Sequence, residues 1–374
     1  MRARIATALL LTLAVAVRSA AAQPPAGTAP SPAAASAPVS QPAADLPRVR
    51  LVATGGTISN RVPQQGGRLT AEELVKSMPD IGRYARAEFE QFANTSSSAI
   101  TLEQWLALAQ RINKLFKEDA GLAGIVVTSG TDTLEELAYF LNLTVRSDKP
   151  VAVVGSMRNP SELGYEGAAN LFEGFRVAAS PAARGRGVMV VLNDEINAAR
   201  DATKTDALRL QTFQTRGYGV LGVVDDDRVV FYRKVEKRHT AQSEFDVEGL
   251  TSLPRVDVIL TYQGASGDLI KAAVDQGAKG IVMATAGAGA TSGTQGEGTR
   301  YALEKGVFVV TTTRAGSGRI AARTRPAPAA GTPNPRERAI AGEDLAPVKA
   351  RILLMLALAK TQNAADIQRM FIEY

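Results

Sequence analysis

Arg-Leu-Val-Ala-Thr-Gly-Gly-Thr-Ile at 50–58 and Gly-Ile-Val-Val-Thr-Ser-Gly-Thr-Asp-Thr at 124–133 set the architecture of this 374-residue chain. Each is a short run of β-branched residues that ends in a turn rich in glycine and threonine. A strand that stops this abruptly, followed by a helical pattern, is the unit of an open and mostly parallel α/β sheet. Such sheets build their sites at the carboxyl ends of the strands. The two turns place hydroxyls, a carboxylate and glycine-flanked N–H groups there.

Working outward from Arg48, further strands are predicted at 150–154 and 188–192, beside those at 48–53 and 124–128. Helical periodicity links them, as in Leu102, Leu106, Ala109 and Ile112, then Leu134, Leu137, Ala138 and Leu141. Segments 220–224 and 228–232, joined by three aspartates, read as a hairpin that closes this part of the chain. A polar stretch at 233–254 reads as a linker, with His239 as a solvated residue within it. A second α/β unit follows, with strands at 256–261, 280–284 and 307–312. A long Ala/Pro/Gly loop at 321–335 precedes a helix from Pro347 to Ala359 and another from Ala364 to the end. The fold class expected is therefore α/β in two domains, a larger one at 47–232 with helices flanking a mostly parallel sheet and a smaller one at 255–374.

The N-terminus is set apart. Arg2 and Arg4 precede an apolar run of about 13 residues that ends in Ser19-Ala-Ala-Ala22, well short of the roughly 20 that span a bilayer. Residues 1–22 read as a signal peptide cleaved near Ala22, which implies a periplasmic or secreted product with no membrane span in its mature form. Residues 23–46, nearly all Ala, Pro, Ser, Gly and Gln, read as a disordered tether.

The composition removes several chemistries. Without cysteine there is no disulfide, thiol nucleophile or thiolate metal site, and a single histidine excludes a histidine-cluster metal centre. The same histidine count leaves a Ser-His-Asp triad only if His239 lies beside a serine. The net charge of +6 comes with scattered arginines and no basic stripe interleaved with aromatics, so nucleic acid is not an expected partner.

Within the two turns, Thr57 follows the first strand on Gly55-Gly56, the position of a nucleophile presented over the sheet edge. The turn lacks the spaced Gly-x-Gly-x-x-Gly of a dinucleotide site, and no helix is expected directly behind it. Thr133-Leu-Glu-Glu136 reads as a capping box, which accounts for Thr133 and Glu136 structurally and leaves Thr131 and Asp132 without a structural role. A carboxylate there can pair with an ammonium, and helix-start N–H groups can hold a carboxylate or a developing oxyanion.

Ala53-Thr-Gly-Gly-Thr-Ile58 together with Ser129-Gly-Thr-Asp-Thr133-Leu-Glu-Glu resembles the signature pair of bacterial-type L-asparaginases and glutaminase-asparaginases. Gly155-Ser-Met-Arg158, Val191-Leu-Asn-Asp194, Ala199-Arg-Asp-Ala-Thr-Lys-Thr205, Arg238-His-Thr240 and Lys349-Ala-Arg-Ile-Leu-Leu-Met-Leu-Ala-Leu358 extend the likeness, in order, over residues 48–374. The resemblance implies a threonine amidohydrolase that needs no cofactor or metal: Thr57 attacks a side-chain carboxamide, ammonia leaves, and water releases aspartate from an acyl-enzyme. It implies Thr131 and Lys204 as a proton relay and Asp132 as partner of the substrate's α-ammonium. Gly130 and the serines of Asn94-Thr-Ser-Ser-Ser98, with Ser97 the family match and Ser98 left open by register, would bind substrate. A homotetramer is also implied.

The sequence departs from that family in three places. No tyrosine occurs between Ser59 and Ala71, where the family's lid carries one; Ser129 stands in place of a histidine; and Gly264 and the acid-free stretch 315–336 stand where a neighbouring subunit supplies an asparagine and a glutamate. Tyr84 and Tyr165 are the candidates to replace the lid tyrosine. The departures bear on the substrate's amino end more than on Thr57. They admit two further readings, an amidohydrolase for glutamine or another small amide and an amino-acid-binding protein with little turnover.

Overall fold

The computed structural model describes residues 46–62, 64, 66–322 and 335–374. The expected signal peptide and all but the last residue of the tether lie outside these, as does most of the 321–335 loop. In chain order, β1 (Arg48–Gly55), α1 (Ala71–Lys76), β2 (Arg86–Thr95), α2 (Leu102–Glu118), β3 (Leu122–Thr128), α3 (Leu134–Thr144) and β4 (Val151–Val154) come first. Then follow α4 (Gly167–Ala179), β5 (Val188–Leu192), β6 (Glu195–Ala198), β7 (Ala202–Lys204), β8 (Phe213–Thr215), β9 (Gly222–Val224) and β10 (Val229–Phe231). The remainder comprises β11 (Val256–Leu260), α5 (Asp268–Asp275), β12 (Gly280–Thr285), α6 (Gln295–Glu304), β13 (Phe308–Thr313), β14 (Ala339–Ala341), α7 (Pro347–Lys360) and α8 (Ala364–Glu373).

Eight strands form one sheet in the order β10-β9-β6-β5-β4-β3-β1-β2. The five strands from β5 to β2 are parallel, and β6, β9 and β10 add antiparallel pairings at the other side. The expected hairpin is the β9–β10 pair. Because β1 lies between β3 and β2, the chain leaves it toward one side and returns on the other, which opens a crevice at the carboxyl ends of these strands. A second, parallel sheet runs β11-β12-β13-β14. The α/β class with a larger mostly parallel sheet and a smaller parallel one is thus the architecture observed.

β3, β4 and β5 are buried almost throughout, as their apolar runs require of strands covered on both faces, and β1 is so from Leu51 onward, past Arg48 and Arg50. One core fills the space between α2, α3 and α7 and carries on to α8 and the inner side of the second sheet. Another lies under α4 on the opposite face of the large sheet.

β2 escapes sequence reading for a physical reason. It is the edge strand, and Arg-Ala-Glu-Phe-Glu-Gln carries charges where an interior strand carries Val or Ile. Glu88 takes Arg48 and Arg50 of β1 at 2.6 Å each, and Glu90 takes Arg111 of α2 at 2.7 Å. The three-residue β7, β8 and β14 and the four-residue β6 were not expected from the sequence either.

The 233–254 stretch corrects one expectation. His239 is buried rather than solvated, its Nδ1 2.8 Å from Thr240 Oγ1, and burial lowers its pKa. Phe245 and Val247 are buried beside it, and Gln110 of α2 donates to the carbonyls of Val247 and Leu250 at 2.8 and 3.0 Å. Polar composition misleads here because these side chains and carbonyls are satisfied by the body of the protein instead of by water.

Candidate active site

The β1 turn is built by staples and then released from them. Thr54 Oγ1 donates to the Thr128 carbonyl at 2.6 Å, and Thr54 N–H donates to Thr128 Oγ1 at 3.1 Å, so the ends of β1 and β3 are locked together. Gly55 and Gly56 follow at φ of 104° and 92°, a backbone region that strains any residue with a Cβ. Gly56 N–H donates to the Thr95 carbonyl at 2.8 Å, and its Cα packs so closely on Gly130 that a side chain would collide with that residue's backbone.

The chain then turns through a short 3-10 segment, Thr57–Ser59. This corrects the expectation that nothing helical stands directly behind the turn: Ser59 N–H reaches Gly56 O and Asn60 N–H reaches Thr57 O, both at 3.1 Å. Thr57 is half-buried, and its hydroxyl has no hydrogen-bond partner among the described residues. Tyr165 donates its hydroxyl to the Ile58 carbonyl at 2.8 Å and so supports this turn from outside the cleft. Tyr84 instead packs edge-on against Phe172 at 5.5 Å, beneath the Arg176 guanidinium. Neither tyrosine lines the cleft described below.

The second turn leaves β3 through Gly130, where a Cβ would come within 2.8 Å of Ser97 Oγ. Thr131 is buried and Asp132 exposed. The expected capping box is absent. Thr133, at φ −124° and ψ 16°, lacks the extended conformation of an N-cap, and its hydroxyl makes no cap bond. The two glutamates face other elements: Glu136 lies 3.8 Å from Arg351 of α7, with its carboxyl pKa raised by burial, and Glu135 faces β7.

Lys204, the last residue of β7, reaches the same turn from across the crevice. Its ammonium donates to Thr131 Oγ1 at 3.0 Å and to Asp132 Oδ1 at 2.9 Å. The lysine side chain is only 16% exposed against 75% for Asp132, so the cation is enclosed while the carboxylate opens to the cleft. Thr57, Gly56, Ser97, Gly130, Thr131 and Asp132 line one open cleft, together with Asn60, Arg68 and Ser96. Ser98 stays outside, exposed and 3.5 Å from Ser96 Oγ, because the 3-10 turn Ser97–Ala99 directs successive side chains away from each other.

Asn60 and Arg68 were not singled out in the sequence, and Ser96 was there only as one of three adjacent serines. Asn60 and Arg68 face each other across a hairpin, joined by a bridge and by Arg61 N–H to Gly67 O at 3.1 Å and Leu69 N–H to Ser59 O at 2.6 Å. Arg68 also donates to the Asn94 carbonyl at 2.5 Å, which ties this hairpin to the loop bearing Ser96 and Ser97. The Gly66-Gly67 pair, at φ of 94° and 77°, is the sequence signal that could have located the hairpin.

Two family profiles match the chain, asparaginase N-terminal over residues 48–237 and glutaminase/asparaginase C-terminal domain over residues 255–371. L-asparaginase 2 of Bacillus subtilis is 42% identical over 340 residues, covering 88% of this chain and 87% of that protein. Glutaminase-asparaginase of Pseudomonas fluorescens biotype A is 37% identical, covering 92% and 95%. The crystal structure of a probable cytoplasmic L-asparaginase from Campylobacter jejuni superimposes with a TM-score of 0.78 at 40% identity, covering 88% of this chain and all of that one. A chain matched by both profiles in sequence order, with relatives this similar over most of its length, belongs to the asparaginase family of amidohydrolases.

Proposed function

We propose that this enzyme hydrolyses L-asparagine to L-aspartate and ammonia with Thr57 as nucleophile, and that glutamine is a poorer substrate. The observation that carries the reading is that the free Thr57 hydroxyl lines the same cleft as Thr131 and Asp132, with Lys204 Nζ joined to both. Relatives named L-asparaginase and glutaminase-asparaginase support the choice of amides.

In the first half-reaction Thr57 Oγ bonds to the carboxamide carbon while its proton passes by way of the Thr131 hydroxyl to Lys204, which takes this part as the neutral amine. The C–N bond then breaks and the departing nitrogen takes that proton, leaving as ammonia. Water attacks the resulting ester in the second half-reaction, releases the aspartate carboxyl and restores the Thr57 hydroxyl. A threonine hydroxyl needs such a base, since it is a weak nucleophile when protonated. Asp132 pairs with the α-ammonium, and Ser97 and Gly130 hold the other end of the substrate.

Thr57→Ala is expected to lower ammonia release from asparagine by at least about 10³-fold, the scale of losing a nucleophile. The readout is a coupled ammonia assay; a variant as fast as the parent would dismiss Thr57. We also propose that residues 1–22 direct export, that 47–232 and 255–374 are the two domains, and that the enzyme is a homotetramer. A relative from Haemophilus influenzae is named periplasmic and the Campylobacter jejuni protein cytoplasmic, so sequencing the mature N-terminus, expected near Gln23, decides the first point. Light scattering decides the last.

A further inference from the structure

Lys204 is held at both ends by one turn. Its side-chain ammonium reaches Thr131 Oγ1 and Asp132 Oδ1, and its main-chain N–H donates to Glu135 Oε1 at 3.2 Å. The neighbouring Thr203 Oγ1 donates to the same oxygen at 3.1 Å. Thr131, Asp132 and Glu135 lie within five consecutive residues, so the turn that carries the site chemistry and the first residues of α3 behind it also fix the backbone that delivers the lysine.

The other carboxylate oxygen, Glu135 Oε2, is buried and accepts no hydrogen bond from the described residues, and Lys349 Nζ on α7 stands 3.9 Å from it. Lys349 is itself buried, with 1% exposure. Its ammonium donates to the carbonyls of Ala199 at 2.9 Å, Arg200 at 3.0 Å and Ala202. Those three carbonyls belong to the strap that runs directly into β7 and Lys204.

A lysine with all three donors committed to the backbone of one strap is an expensive filler, because a methionine would occupy the same volume without desolvating a charge. Burial pulls its pKa down to about 8. Charged groups face it from α3 in Glu135 and Glu136 and from the strap in Arg200 and Asp201.

We propose that Glu135 and Lys349 are positioning residues: together they clamp the 199–204 strap so that Lys204 Nζ stands between Thr131 and Asp132. This deepens the reading given above and rests on the Thr131–Lys204 pair acting in proton transfer. It also gives the Lys349-Ala-Arg351 stretch of α7 a task at a site formed by the large sheet.

The test compares the parent with Glu135→Gln, which preserves shape and removes the charge, and with Lys349→Met. Three quantities are read: kcat and KM for asparagine, the melting midpoint, and the rate of reductive methylation at Lys204 measured by peptide mass spectrometry. Lys114, exposed on α2, is the internal control. Each variant is expected to lower kcat by about tenfold or more with KM within about twofold, since a displacement near 1 Å at a reacting group has effects of this size or larger. Methylation of Lys204 should accelerate severalfold while that of Lys114 does not change.

If Lys349→Met does not fold, Glu135→Gln carries the test alone. Unchanged kcat and unchanged Lys204 labelling in Glu135→Gln would overturn the proposal, as would equal acceleration at Lys204 and Lys114, which reports general loosening. A parent without asparagine turnover, whose Lys204 labelling still responds to Glu135→Gln, would remove the functional reading and leave the clamp standing.

Discussion

The two parallel sheets end alike, and only one of them carries the candidate site. In the large sheet Thr54 and Thr128 staple β1 to β3, each hydroxyl bonded across to the other strand. In the small sheet Thr285 donates to the Thr312 carbonyl, and Thr312 donates to the Met283 carbonyl at 2.9 Å. All four threonines are fully buried. What differs is the next few residues: Gly55-Gly56-Thr57 after Thr54, against Ala286-Gly-Ala-Gly-Ala290 after Thr285. A hydroxyl at a strand end is by default occupied as a staple, and chemistry needs another one beyond it, on a turn with glycine enough to leave the sheet.

The comparison can be broken in several ways. The largest effect is expected at Lys204→Met, which should lower kcat by about 10²- to 10⁴-fold, the usual contribution of a proton-transfer group, with the melting midpoint little changed. An unaltered kcat would reduce Lys204 to a structural link. Next, Gly56→Ala forces φ of 92° on alanine and drives its Cβ into the Gly130 backbone. Denaturant unfolding should show a loss of about 2–4 kcal/mol together with most of the activity.

Thr54→Val and Thr312→Val should each destabilise by about 1–3 kcal/mol, because each strands a buried backbone partner. Only the first should also depress kcat, since Thr54 leads directly into the turn of the proposed nucleophile. Equal effects on kcat would remove the distinction between the sheets.

The smallest effect on activity concerns the part of the large sheet away from the cleft. Glu173 on α4 is buried and accepts from Asp194 N–H at 3.1 Å, and burial with the nearby Asp194 carboxylate lifts its pKa from 4.5 to about 8. The folded state therefore holds a proton that the unfolded chain releases, and stability falls as pH rises from 4.5 toward 8. Glu173→Gln removes that loss. Its melting midpoint should match the parent near pH 4 and exceed it at pH 8, by a margin that grows with pH across that range.

Legibility in the sequence followed local physics. Strands buried on both faces announce themselves as apolar runs rich in Val and Ile, which is why β3, β5 and β12 were readable, and β1 from its Leu51-Val-Ala53 half. Charged β2 was not, because its code is that of an edge. Thr57, Gly130, Thr131 and Asp132 were legible from two turns. Asn60 and Arg68 were hidden because a hairpin brings them in, the register of the 96–98 serines was settled only by the 3-10 turn, and Thr133 lost its expected cap to a backbone conformation that composition does not reveal. Polar residues around His239 read as solvated because burial with satisfied partners leaves no local mark.

By itself the sequence determined the α/β class, the two turns and the residue types available for chemistry, since each depends on neighbours a few positions apart. The placement of Lys204 between Thr131 and Asp132, the exclusion of Ser98 and the clamp by Glu135 and Lys349 were decided only in the tertiary structure. Those contacts join residues some 70 to 215 positions apart, and the directions of their side chains depend on strand order and helix packing rather than on local spacing.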